Sequence, residues 1–278
     1  MRDKIVVPLD GSRLAEVALP YAEELAAKTA SEIILLSVLQ SEETHEYQKH
    51  QSYATRIVNV TKRHVEKYLE KSESRAINIG TATRAGNPAE GILDYVGKGT
   101  SKLIVVATHG RSGLSRWAVG SVADKVVRAT TKQPLMLIRA KGSHPDIREK
   151  RILKKALVPL DGSITSEAVI PYIMEIAHSL QMEVTLLQVI PKTNHNYASA
   201  EDYLQSWCRK LVDNGIKAGY ELSVGAAADQ IIDLADELAI DVVAMSTHGQ
   251  TAIHLWPLGS VAQKVLLAGN TPLMLIRA

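Results

Sequence analysis

The sequence contains no phenylalanine and a single cysteine, Cys208, among 278 residues. One cysteine excludes an internal disulfide and any multi-cysteine metal site. The N-terminus, Met1–Pro8, runs straight into a strand-like segment without the character of a signal peptide. Together these features point to a reducing cytoplasm. No apolar run approaches the roughly 18–20 residues that a membrane-spanning helix needs. Aromatic residues make up only 4% of the chain. The cores must therefore be filled by Val, Ile, Leu and Ala, which suits a parallel sheet covered by helices. Two familiar nucleotide signatures are also missing. There is no Gly-x4-Gly-Lys-Ser/Thr loop, and no Gly-x-Gly-x-x-Gly follows the first strand. No basic stripe with interleaved aromatics appears, which argues against nucleic acid as a partner.

What the sequence does have is an internal repeat. Val6–Ser12 (VVPLDGS) returns as Leu157–Ser163 (LVPLDGS), and Thr108-His-Gly110 returns as Thr247-His-Gly249. Gly120–Ala123 (GSVA) returns at Gly259–Ala262, and Pro134–Ala140 (PLMLIRA) returns at Pro272–Ala278. Four matched blocks in one order mark a tandem duplication. Copy one spans 1–140 and copy two 152–278, with a charged, Gly- and Pro-containing linker at 141–151. The copies are offset by 151 residues at the first block and 139 at the others, so copy one carries 12 extra residues. The polar stretch 41–74, which holds His45, His50 and His64, is where the spacing places them. The histidine spacing does not stack two of them on one helix face, and no metal site is expected.

Charge divides unevenly. Copy one has 20 basic and 15 acidic residues, whereas copy two has 8 and 13. The excess in copy one favours an anionic ligand, or else the two halves are simply complementary in charge. Within each copy, strand and helix patterns alternate, the signature of βαβ units and a doubly wound parallel sheet of five strands. Ligands of such sheets sit beyond the carboxyl ends of the strands, where strand order reverses. Asp10 and the Thr108–Gly110 turn lie at such ends.

The stretch from Ala107 to Val122 leaves a strand, runs about ten residues and opens a helix with Gly-Ser. Unpaired N–H groups of Ser121 and Val122, with the helix dipole, make an anion site. Arg111 and Arg116 supply positive charge, and Asp10 accepts hydrogen bonds from a sugar or base. A purely structural reading stands beside this one. Ser121-x-x-Asp124 and Ser260-x-x-Gln263 fit helix N-caps with a partner three residues on, and Asp10-Gly-Ser fits the start of the first helix.

These residues resemble the universal stress protein family in its tandem-domain form, over nearly the whole chain. The matching motifs are Val-Pro-x-Asp-Gly-Ser at 7–12 and 158–163, Gly110-x9-Gly120-Ser121, and Gly249-x9-Gly259-Ser260. The first glycine of the family's Gly-x2-Gly-x9-Gly-Ser/Thr pattern is Ala107 in copy one and Ser246 in copy two. The resemblance implies two Rossmann-like domains with strand order 3-2-1-4-5, of the adenine nucleotide alpha hydrolase-like type. It implies a cytoplasmic stress protein that binds ATP, ADP or AMP, with Mg²⁺ as an optional companion of ATP, or a scaffold with vestigial pockets. It also implies a homodimer and pairing of domains through Leu135–Arg139 and Leu273–Arg277.

Carried over by position, base and ribose contacts fall on Pro8, Asp10 and Val38. Phosphate contacts fall on Ala107, Gly110, Arg111, Gly120, Ser121 and Val122. Copy two keeps Asp161, Val189, Gly249, Gly259 and Ser260, but its arginines become Gln250 and Leu255. Copy one is therefore expected to bind nucleotide better. His109 and His248 fit a turn or packing role, Trp117 and Trp256 anchor the loop, and Cys208 is a buried small residue. No Mg²⁺ carboxylate set or water-positioning residue is evident, so catalytic residues are not expected and any ATP hydrolysis should be slow.

Overall fold

Short Val/Ile/Leu-rich runs that end at Pro or Gly, separated by amphipathic segments, form the alternating strands and helices of the chain. The computed structural model describes residues 3–39, 44–69, 76–98, 101–109, 119–130, 133–139, 151–192, 197–248 and 258–277. The chain forms two compact units, Met1–Ile152 and Leu153–Ala278.

The first unit begins with β1 (Lys4–Pro8), α1 (Arg13–Glu16), α2 (Leu19–Thr29) and β2 (Glu32–Leu39). It continues with α3 (Thr44–Tyr68), β3 (Ile79–Ala85), α4 (Pro88–Gly97), β4 (Ser101–Ala107), α5 (Ser121–Ala129) and β5 (Leu135–Ile138). Its strands lie in the order β3-β2-β1-β4-β5, and the neighbouring pairs are parallel. Fully buried Ile33, Leu36, Ile104, Leu137 and Ile138 on these strands show why a chain without phenylalanine closes its core.

The second unit repeats the plan with β6 (Lys155–Pro159), α6 (Ile164–Glu167), α7 (Ile170–Leu180) and β7 (Glu183–Ile190). Then follow α8 (Tyr197–Asp213), β8 (Lys217–Val224), α9 (Ala227–Glu237), β9 (Val242–Ser246), α10 (Ser260–Ala268) and β10 (Leu273–Ile276). Its order is β8-β7-β6-β9-β10, again parallel. The expected order 3-2-1-4-5 is thus present in each unit. Helices α2 and α3 pack together, as do α4 and α5.

Two details stand out. The apolar spacing over residues 12–30 predicts one helix, but two form there. Pro20 has no N–H to offer the Glu16 carbonyl, so the ladder breaks and α2 restarts at Leu19. Pro171 does the same in the second unit. The extra residues of the first copy mostly lengthen a helix, since α3 has 25 residues and α8 has 17. The added length brings further contacts to α2. There Glu23 and Glu24 are each 1% exposed, His64 Nδ1 lies 3.3 Å from Glu23 Oε2, and Glu24 Oε2 accepts the Ile152 N–H at 2.9 Å. Ile152 thereby belongs to the first unit, although the repeat pattern groups it with the second copy.

Both α2 and α7 end on a left-handed residue that carries a Cβ, Ala30 at φ 55° and Gln181 at φ 53°. That conformation costs an L-residue about 1–2 kcal/mol, of which glycine's greater freedom in the unfolded chain cancels a part. Ala30→Gly and Gln181→Gly are each expected to add about 0.5–1 kcal/mol of stability in urea unfolding. Unchanged or lower stability would show that the caps are relaxed.

Candidate ligand site

In the first unit β1 is central. The chain leaves it for β2 on one side and returns to β4 on the other, so the carboxyl ends of β1 and β4 diverge and leave a crevice. The crevice is a cavity of about 640 Å³, within the range of small-molecule sites. It is lined by Pro8 and Asp10 after β1, Val38 on β2, Ala107 at the end of β4, and Gly120, Ser121 and Val122 at the start of α5. These are seven of the nine positions expected in this copy. The other two, Gly110 and Arg111, lie outside the described residues, as do Arg116 and Trp117.

One hydrogen bond fixes the α5 end of this crevice. The Gly120 N–H donates to the Thr108 carbonyl at 2.7 Å, pulling the start of α5 against the end of β4. The capping reading of Ser121 does not hold. The N-cap is Gly120, Ser121 is the first helical residue, and no side chain caps the helix. Asp124 instead receives both short bonds from Arg128 Nε, at 2.9 Å each. The first N–H groups of α5 therefore keep their capacity for an anion. A Cβ on Gly120 would lie 3.0 Å from the Thr108 oxygen, so its missing side chain makes room for backbone.

Asp10 does have the structural role proposed for it. Its Oδ1 accepts both the Ser12 N–H (2.9 Å) and the Ser12 hydroxyl (2.6 Å), while Ser12 Oγ caps α1 through the Ala15 N–H. It also lines the cavity, so one carboxylate serves fold and site together. Charge-assisted bonds of this kind are worth about 1.5–3 kcal/mol, which makes Asp10 a poor residue for separating binding from folding.

Sequence reasoning missed the wall that α3 supplies. His50 and Tyr53 line the cavity. Burial lowers the His50 pKa below its ordinary value. The Tyr53 hydroxyl is buried near the Glu16 carboxylate. Burial first, and Glu16 second, push its pKa up. Glu16 also accepts Arg56 at 3.1 Å, and the Arg56 guanidinium lies 5.4 Å from the centre of the Tyr53 ring. The spacing of His50 and Tyr53, one helical turn apart on an amphipathic segment, was the available signal.

The second unit keeps the frame. The Gly259 N–H donates to the Thr247 carbonyl at 2.8 Å, and Asp161 Oδ1 accepts Ser163 N (3.0 Å) and Oγ (2.6 Å). Gly259 is the N-cap and Ser260 the first residue of α10, again without a side-chain cap, so the capping reading of Ser260 and Gln263 fails as well. Val189 lies on β7, paired with Ser223. Gly249, Gln250, Leu255, Trp256 and Pro257 lie outside the described residues. On α8 the donors are used internally. Glu167 Oε1 accepts the Tyr203 hydroxyl at 2.8 Å and the Trp207 Nε1–H at 3.2 Å. Cys208 is buried, and burial raises its thiol pKa.

The model of the universal stress protein family matches residues 1–139 and again residues 153–277. The chain belongs to the universal stress protein family. The universal stress protein YxiE of Bacillus subtilis is 30% identical over 149 residues, half of this chain and all of that protein. The universal stress protein Slr1230 of Synechocystis is 22% identical over 304 residues, covering 98% of this chain and 99% of that one. A crystal structure of a universal stress protein from Archaeoglobus fulgidus superposes with a TM-score of 0.72 at 17% identity, over 99% of this chain and 96% of that one. The last likeness concerns the fold.

In this universal stress protein the two clamp glycines are unequally tight. A Cβ on Gly259 would come within 2.7 Å of the Thr247 oxygen, against 3.0 Å at Gly120. Gly259→Ala is expected to destabilise by about 1–3 kcal/mol and Gly120→Ala by less. Chemical unfolding of the two variants checks the order, and a reversed order would contradict the clamp geometry.

Proposed function

We propose that this universal stress protein is a cytoplasmic stress-response regulator that binds an adenine nucleotide, mainly in its first unit, and that it is a binder rather than a catalyst. The observation that carries the reading is the cavity at the strand-order reversal, with the uncapped start of α5 on its border. The residues fit the group. Apolar Pro8, Val38 and Ile92 suit a base, the Asp10 carboxylate suits sugar hydroxyls, and the Ser121 and Val122 amides suit a phosphate. When bound, the nucleotide supplies the negative charge that the helix terminus attracts. The protein's own residues orient it and exclude water from its base. The reading includes Mg²⁺ accompanying ATP, and a homodimer. Among the described residues no helix is long and apolar enough to cross a membrane, and no cluster of three or more metal-ligating side chains occurs.

A scaffold whose pockets are vestigial is the second reading. It is favoured by the structural duties that Asp10 and Gly120 already perform.

Ser121→Pro separates the two. Proline is tolerated at the first position of a helix, and Gly120, at φ −58° and ψ 147°, already has the backbone that a following proline demands. The substitution removes one N–H and one hydroxyl without breaking the helix. Isothermal titration of nucleotide-stripped protein with ATP, ADP and AMP is expected to show binding that weakens about tenfold or more in Ser121→Pro. Ser260→Pro in the second unit is expected to leave it unchanged. No binding by wild type at millimolar nucleotide would favour the scaffold. Loss in Ser260→Pro alone would reverse the assignment of units.

A further inference from the structure

Buried polar atoms without a hydrogen-bond partner are uncommon, because each costs about 1–3 kcal/mol. In the second unit two of them fall on one row of the sheet. Ser246, the last residue of β9, is 4% exposed, and its Oγ has no partner. Gln188, on β7, is half-buried, but its Oε1 is covered and has no partner.

The register brings the two together. Pro159 of β6 pairs with Leu187 of β7, and Leu157 of β6 pairs with Val243 of β9. Counting one residue on from the first pair and three on from the second, Gln188 and Ser246 stand on either side of Leu160, the residue just before Asp161. Residues in register on neighbouring strands share a face. In the first unit the corresponding row is Ser37, Leu9 and Ala107, and all three line the cavity. The second copy has therefore enlarged one polar side chain and added another where the first unit holds its ligand wall.

The charge has changed in the opposite sense. Arg111 and Arg116 of the first loop are replaced by Gln250 and Leu255 in the second. Cationic groups suited to phosphates have gone, and neutral hydrogen-bonding groups at the row equivalent to the first unit's cavity wall have been gained. The donors of α8 do not satisfy them, since Tyr203 and Trp207 both bond to Glu167.

We propose that the second unit is a site in its own right, for an uncharged nucleoside-type ligand that hydrogen-bonds Gln188 and Ser246. The first unit takes a phosphorylated nucleotide. This rests on the nucleotide reading of the crevice. Gln188 presents an amide oxygen and Ser246 a hydroxyl that both donates and accepts, a set that matches the amine, ring nitrogens and hydroxyls of a nucleoside.

The test titrates adenosine and, separately, ATP into the full chain as wild type, Ser246→Ala and Gln188→Leu. The melting temperature of each is also measured without ligand. Wild type is expected to bind both. Each variant is expected to weaken adenosine about five- to tenfold and to leave ATP unchanged. Without ligand each is expected to melt a few degrees higher, because an unsatisfied buried group has been removed. Absence of adenosine binding, or binding that neither variant weakens, while ATP still binds, overturns this inference and leaves the nucleotide reading standing. Failure of wild type to bind either ligand overturns both. The two substitutions lie on different strands, so one remains informative if the other unfolds the unit. Lower melting of both would remove the unsatisfied groups as its basis.

Discussion

The hydrogen bond from Gly120 to the Thr108 carbonyl, repeated from Gly259 to Thr247, is the contact on which the frame of each unit depends. It ties the amino end of a helix to the carboxyl end of a strand, so the first turn of the helix borders the crevice. A Cβ there would press on the carbonyl that accepts the bond, harder at Gly259 than at Gly120. Once the clamp is made, the orphan N–H groups, the aspartate after β1 and the apolar wall from β2 surround one volume. The topology does the rest, since strand order reverses at β1 and leaves room above it.

Economy marks the first unit. Asp10 holds Ser12, which caps α1, and it also faces the cavity. Val38 lines the cavity while packing so closely on α4 that a Cβ at Gly91 would meet its Cγ2 at 2.9 Å. Residues with two duties resist substitution for two reasons, and loss of binding on changing them does not by itself identify a ligand contact. The second unit keeps the shared frame and alters the residues around it. Duplication followed by divergence at the crevice accounts for both the symmetry of the backbones and the asymmetry of their side chains.

The repeat made the fold legible. Two copies of each motif fixed which segments were equivalent, and the alternation of strand and helix patterns then gave the doubly wound sheet. Asp10 and Gly120–Val122 were legible because they sit at a strand end and a helix start, places that sequence marks with Gly, Pro and Ser, whereas Val38 and Ala107 came from the family resemblance. His50 and Tyr53 were not. They lie inside a long helix, where their spacing marks a shared face, but which volume that face meets is set by how α3 packs on the sheet. The capping reading of Ser121 failed for a related reason. A Ser-x-x-Asp pattern does not say whether the glycine before it is clamped to a strand and so takes the capping position. Gln188 and Ser246 drew no notice as hydrogen-bonding groups, because an unpartnered atom is visible only when its neighbours are known.

The most direct measurement is hydrogen–deuterium exchange of the full chain with and without saturating ATP, resolved by peptide. The account predicts slower exchange at residues 5–12 and 119–124 of the first unit, where the ligand meets strand end and helix start. It predicts little change at the equivalent residues, 156–163 and 258–263. Equal protection of both units, protection of the second alone, or no protection at either would contradict it.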